Sequence, residues 1–133
     1  MAEPIRNFRE LRAYQAAVEL QSAVFLISKT WPTEEKFSLT DQVRRSSRAV
    51  GANLAESWAK RNYPAHFVSK LTDADGELQE TSHWLQTALD CKYISQTEHS
   101  NFQARIDDIG GKLGKMMSMP EKFKPGGRKA EDG

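Results

Sequence analysis

Apolar residues recur along the chain at steps of three and four, and prolines at positions 4, 32, 64, 120 and 125 divide that pattern into segments. The first segment predicts a helix from about Arg9 to Ser28, with Leu11, Tyr14, Val18 and Phe25 on the core side and Trp31-Pro32 ending it. A second helix is predicted from near Ser38 to about Lys60, carrying Val43, Ser47, Val50 and Leu54. Ser38 stands three residues before Asp41, which resembles a capping box. Asn62-Tyr63-Pro64 then breaks the chain, and Pro64 suits the first turn of a third helix built on Phe67, Leu71, Leu78, Leu85 and Leu89. Ser95-Gln96-Thr97-Glu98 is a full capping-box pattern opening a fourth, with Phe102, Ile106, Ile109, Leu113 and Met116 in step.

Strand-like alternation, glycine hairpin signals and internal repeats are missing from this pattern. Four helices on short loops predict an all-α fold, an antiparallel up-down four-helix bundle over residues 1–117. Residues 118–133 mix prolines, glycines and charges with little to bury, and are expected to form a flexible, disordered polar tail. A chain of 133 residues fits one domain and buries about two-thirds of its unfolded surface without metals or disulfides.

The outer faces of these helices carry the functional expectations. On the first, Leu20, Val24 and Ile27, with Ala13 and Ala16, fall opposite the Leu11-Tyr14-Val18 stripe, and a helix apolar on two sides of a small domain has to be covered. On the second, Ala49 and Ala52 accompany Arg45, Glu56 and Ala59, and small side chains let another helix approach closely. On the third, Asp73, Glu77, Glu80 and Trp84 share one face, and a tryptophan on an acidic face suits an interface anchor. Together these predict a homo-oligomer with Leu20, Val24, Ile27, Ala49, Ala52 and Trp84 at its interface.

Charge changes the picture only locally. Lys and Arg total 19 against 18 Asp and Glu, a net +1 that steers the whole chain toward neither nucleic acid nor membrane. Residues 1–62, however, hold ten Lys/Arg and seven Asp/Glu, while residues 63–95 hold two and five, a +3 and a −3 segment suited to docking on each other within or between subunits. Arg44, Arg45 and Arg48 crowd one turn and a half of the second helix, with Arg6, Arg9 and Arg12 ahead of them. Phosphates are the expected neutraliser for Arg44 and Arg48, and a carboxylate of the third helix for Arg45.

Catalytic constellations are hard to find. His66, His83 and His99 make no H-x-x-H or H-E-x-x-H pair, and Cys91 has no partner for a disulfide or a C-x-x-C site. Glu80-x-x-His83 has the spacing used in di-iron bundles, but one copy is too few and helical phase turns Glu80 outward. Phosphate-binding glycine loops and nucleophile elbows do not occur either. The expectation is a non-enzyme without metal or cofactor. The lone thiol and the lack of an apolar signal core or a membrane-length stretch predict a cytoplasmic protein with no membrane contact.

Phe8-Arg9-Glu10-Leu11, then Phe37-Ser38-Leu39-Thr40-Asp41-Gln42-Val43-Arg44-Arg45-Ser46, then Asn53-Leu54-Ala55-Glu56-Ser57 resemble a bacterial family over about residues 8–117. That family comprises the four-helix-bundle proteins encoded in ribosomal RNA intervening sequences. Ser46 stands where its pattern has alanine and Ser57 where it has glycine, and Gly76-Glu77-Leu78 only partly keeps the third-helix motif. The resemblance implies a homo-oligomer, often a pentamer, and kinship with the accessory variability protein of diversity-generating retroelements, which binds a reverse transcriptase and nucleic acid. The leading expectation is thus a homo-oligomeric adaptor for RNA, DNA or a nucleic-acid enzyme, acting through Arg44, Arg45, Arg48, Arg9 and Arg12. The rival is a protein-binding scaffold whose arginines merely pair with acids of the third helix.

Overall fold

A computed structural model describes residues 4–125, and every regular element within them is a helix. The four helices are α1 (Arg12–Ser28), α2 (Leu39–Ala59), α3 (Pro64–Asp90) and α4 (Gln96–Ser118). Short connections force neighbours to run antiparallel: α1 packs on α2, α2 most extensively on α3, α3 on α4, and α4 returns to α1. Loops α1–α2 and α3–α4 therefore meet at one end, where the Trp31 and Tyr93 rings lie 6.0 Å apart. The α2–α3 loop, the start of α1 and the end of α4 share the other.

Local chemistry sets most boundaries. Pro64 occupies the first turn of α3, where its missing N–H costs no helical bond. At α4 the Ser95 Oγ accepts the Glu98 N–H at 3.0 Å while the Glu98 carboxylate accepts the Ser95 N–H at 2.8 Å, a complete capping box. The start of α2 is built otherwise. Ser38 makes no side-chain cap to the helix; its hydroxyl donates to Glu35 Oε1 at 3.0 Å, and that same oxygen accepts the Leu39 N–H. Glu35, from a one-turn 3-10 helix at Thr33–Glu35, thus replaces the Ser38–Asp41 arrangement that spacing predicts.

The core is one cluster in which Val43, Val50 and Leu54 of α2 meet Phe67, Leu71, Leu78 and Leu85 of α3 and Ile106, Ile109 and Leu113 of α4. Two hydroxyls in it answer each other: Thr81 Oγ1 lies 2.8 Å from Ser46 Oγ, and both residues are fully buried. Ser57, also buried, donates to the Leu54 carbonyl at 2.7 Å. The serines that depart from the family pattern are thereby satisfied without a partner outside the bundle.

The face of α1 corrects an expectation. Leu20 and Val24 are not an outer face awaiting a second copy; both have zero exposure inside the single chain, and Ala13, Ala17 and Ser28 are buried with them. The buried arc is centred on Ala17, Leu20 and Val24, about 100° round the helix from the Tyr14–Phe25 stripe. Tyr14, Val18 and Phe25 are half-buried at one edge of it. Tyr14 lies over Gly51 of α2, where an added Cβ would meet Tyr14 Cε1 at 3.4 Å. The helix is apolar on two sides because it fills a corner between α2 and α4, so its cover comes from the same chain.

A second correction concerns the tail. A 3-10 turn at Pro120–Phe123 folds back, and the Phe123 ring stacks on Phe67 at 5.3 Å, so the packed unit runs past residue 117. The rest of the expected flexible tail, residues 126–133, lies outside the described residues.

Candidate nucleic-acid interface

Residues on the first turns of α2 stand one helical turn apart on the side facing the end of α1. Arg44 Nε donates to Ser28 Oγ at 2.8 Å, and its guanidinium carbon stands 4.7 Å from the centre of the Phe25 ring. Arg48 approaches the same ring at 5.6 Å and Lys29 Nζ at 4.8 Å. Three cations thus share one aromatic ring, which attracts each through its quadrupole but neutralises none. Among the described residues neither Arg44, Arg48 nor Lys29 has a carboxylate within ion-pair distance.

Arg45, next in sequence, faces the other way. It pairs with Glu77 at 3.3 Å and closely with Glu80, both on α3. Lys70 lies 3.6 Å from both Asp73 and Glu56. The acidic face of α3 therefore has its cations within the chain. Trp84 is half-buried, its indole N–H donating to Glu80 Oε2 at 3.3 Å, and the exposed His83 meets its edge at 4.8 Å. Glu80 and His83 do not converge on a common point, and no three His, Cys, Asp or Glu side chains among the described residues are placed to hold a metal ion.

Beyond the arginines the surface opens into a groove of about 540 Å³ at the start of α2. Lys36, Phe37, Thr40, Asp41 and the arginines 44, 45 and 48 line it. Phe37 is 86% exposed, with Lys36 Nζ 5.4 Å from its ring centre. Glu35 fixes the loop that presents both: besides Ser38 and Leu39 it accepts the Tyr93 hydroxyl at 2.8 Å, tying the α1–α2 loop to the α3–α4 loop. That bond from Tyr93, with the one from Ser38, holds the Glu35 carboxyl below its ordinary range, and reciprocally the phenol of Tyr93 is pushed up to about 12.

Arg9 and Arg12 do not join this site. They sit at the opposite end of α1, about 24 Å away by the helical rise, because the antiparallel hairpin sets the end of α1 beside the start of α2. Arg9 covers Phe8 at 4.4 Å, and Arg12 lines a separate groove of about 690 Å³ between α1 and α4, near Lys115 and Lys122. The aromatic members, Phe25 and Phe37, escape sequence reasoning. The first looks like a core residue, and the only signal for the second is a phenylalanine beside a lysine just ahead of a helix start.

The model of the 23S rRNA-intervening sequence protein family matches residues 9–115. The chain belongs to that family. A crystal structure at 1.70 Å of a protein with unknown function from the S23 ribosomal protein family of Bacteroides thetaiotaomicron VPI-5482 shares the fold, with a TM-score of 0.71. It is 23% identical, and the match covers 80% of this chain and 95% of that one. No curated protein shows significant similarity to the chain. Among the described residues no helix is long and apolar enough to cross a membrane. For this member of the family the fold is settled, and the functional reading rests on its own surface chemistry.

Proposed function

We propose that the chain is a non-catalytic, homo-oligomeric helical adaptor of the cytoplasm that binds nucleic acid through the groove at the start of α2. The observation that carries this reading is the contrast between neighbouring arginines. Arg45 is held by two carboxylates, whereas Arg44 and Arg48 gather with Lys29 round the Phe25 ring and meet none among the described residues. Like charges gathered round one ring repel unless an anion joins them, and a phosphate backbone supplies one per nucleotide. The family's association with ribosomal RNA genes agrees with such a partner.

Assembly is part of the same proposal, with five copies the number the family resemblance implies. With Leu20 and Val24 inside the core, apolar candidates on the outer sides of α1 and α2 include Ala49, Ala52, the half-buried Ile27, and Leu26, which is 62% exposed. Trp84 stays a candidate through its half-exposed ring. A reverse transcriptase or other nucleic-acid enzyme is a partner that the proposed adaptor could serve.

The test is the salt dependence of RNA and DNA binding. Replacing Arg44 and Arg48 together by Gln should leave fold and assembly intact and flatten the slope of log affinity against log salt. The expected change is about 0.9 per lost contact on duplex DNA and about 0.7 on a single strand. A double variant with an unchanged slope rules out the nucleic-acid reading for this groove. The rival protein scaffold then stands, since its arginines need no phosphate.

A further inference from the structure

We infer that the nucleic acid bound in the α2 groove is single-stranded, with an unpaired base stacked on Phe37 and neighbouring phosphates held by Arg44 and Arg48. The inference rests on the nucleic-acid reading above and adds what phosphate contacts alone do not decide: the state of the bases. At 86% exposure the Phe37 ring contributes little packing to its own fold, and the cation of Lys36 stands 5.4 Å from its centre. The loop carrying it is nevertheless fixed, because Glu35 ties Ser38, Leu39 and Tyr93 together at distances of 3.3 Å or less. An exposed ring on a held backbone is a platform.

What such a platform takes is set by geometry. A base in a duplex is covered on both faces by its neighbours and offers edges only, so it has no face to lay on Phe37. An unpaired base has one. The groove leading from Phe37 toward Arg44 and Arg48 has about 540 Å³, within the roughly 300–1,000 Å³ of sites that accept molecules of nucleotide size. Lys36, Arg44 and Arg48 contribute three cations with no carboxylate of the described residues in ion-pair distance, against one lining carboxylate, Asp41. The walls favour a polyanion and the aromatic end favours a bare base, the combination that single strands meet in their binding proteins.

The experiment compares three labelled ligands by fluorescence anisotropy: an RNA of about 12 nucleotides, its perfect duplex, and an abasic strand of equal length. The proteins are the unmodified chain, Phe37→Ala, Phe37→Trp, and the double variant Arg44→Gln with Arg48→Gln. The unmodified chain should prefer the single strand to both the duplex and the abasic strand. Phe37→Ala should weaken single-strand binding roughly tenfold, to the level of the abasic strand, and leave duplex binding unchanged. Phe37→Trp should keep the preference. Circular dichroism checks that Phe37→Ala is folded, as the exposure of the ring predicts. Equal binding of intact and abasic strands, or an unaltered single-strand affinity in Phe37→Ala, overturns stacking while the salt-slope effect of the double variant keeps the phosphate reading. If none of the three ligands binds, both inferences fall and the surface belongs to a protein partner.

Discussion

At the scale of single residues, Glu35 shows how one carboxylate organises a surface. Its oxygens gather a serine hydroxyl, a helix N–H and a phenol from three places in the chain, and each bond favours the charged form. The pH consequences have opposite signs. The pKa of Tyr93 is raised in the folded state, so its contribution to stability is complete below about pH 10 and is lost as pH climbs through about 12. The pKa of Glu35 is lowered, so its contribution is present above the ordinary value of 4.5 and is lost as pH falls through the depressed one. Tyrosinate absorbance should therefore show Tyr93 titrating at about 12 instead of its ordinary 10, and Glu35→Gln should bring it back toward 10. A Tyr93 transition at the ordinary value of 10 in the unmodified chain would mean the bond is not made in solution. Little of this was legible beforehand, since Glu35 and Tyr93 are 58 residues apart and only the fold joins them. Arg45 was legible, because opposite charges on adjacent helices select each other by sign and height.

Among elements, α4 and α1 mark the limits of pattern reading. The capping box and stripe of α4 depend on neighbours within one or two turns, so sequence alone places it. The core face of α1 depends on which neighbours flank it. Aromatic bulk points to Tyr14 and Phe25, whereas the deepest line is Ala13, Ala17, Leu20 and Val24, because small residues permit the close approach of a corner helix. Two substitutions separate burial from assembly. Val24→Glu places an unpaired charge in a site with zero exposure and should cost about 3–5 kcal/mol, a large share of a typical 5–15. Leu26→Glu lies two residues on at 62% exposure, and should leave chemical denaturation within about 0.5 kcal/mol. Should Leu26 belong to the assembly surface, the same variant lowers the mass seen by light scattering. Val24→Glu folding normally would refute the placement of α1.

For the whole molecule, the two ends of the bundle hold different chemistry. One end joins both loop connections through Glu35 and Tyr93 and carries the basic groove with its exposed phenylalanine. The other closes on an aromatic stack, since Phe123 reaches back to Phe67 at the start of α3. A bundle of four helices was legible from periodicity. Its extent was not, because a single phenylalanine among prolines and lysines gives no period, and only the geometry of the chain end brings it onto the core. Phe123 is half-buried, and a stacked aromatic pair contributes about 0.5–1.5 kcal/mol beyond the area it covers. Phe123→Ala is therefore expected to lower unfolding free energy by about 1–2 kcal/mol, a shift of several degrees in Tm for a domain of this size. The groove lies at the far end, so nucleic-acid affinity and its salt slope should not change. Denaturation of Phe123→Ala beside a binding titration checks both halves. A stability equal to the parent's would return residues 118–125 to the tail, whereas a loss of binding with stability preserved would show that the two ends communicate through the bundle.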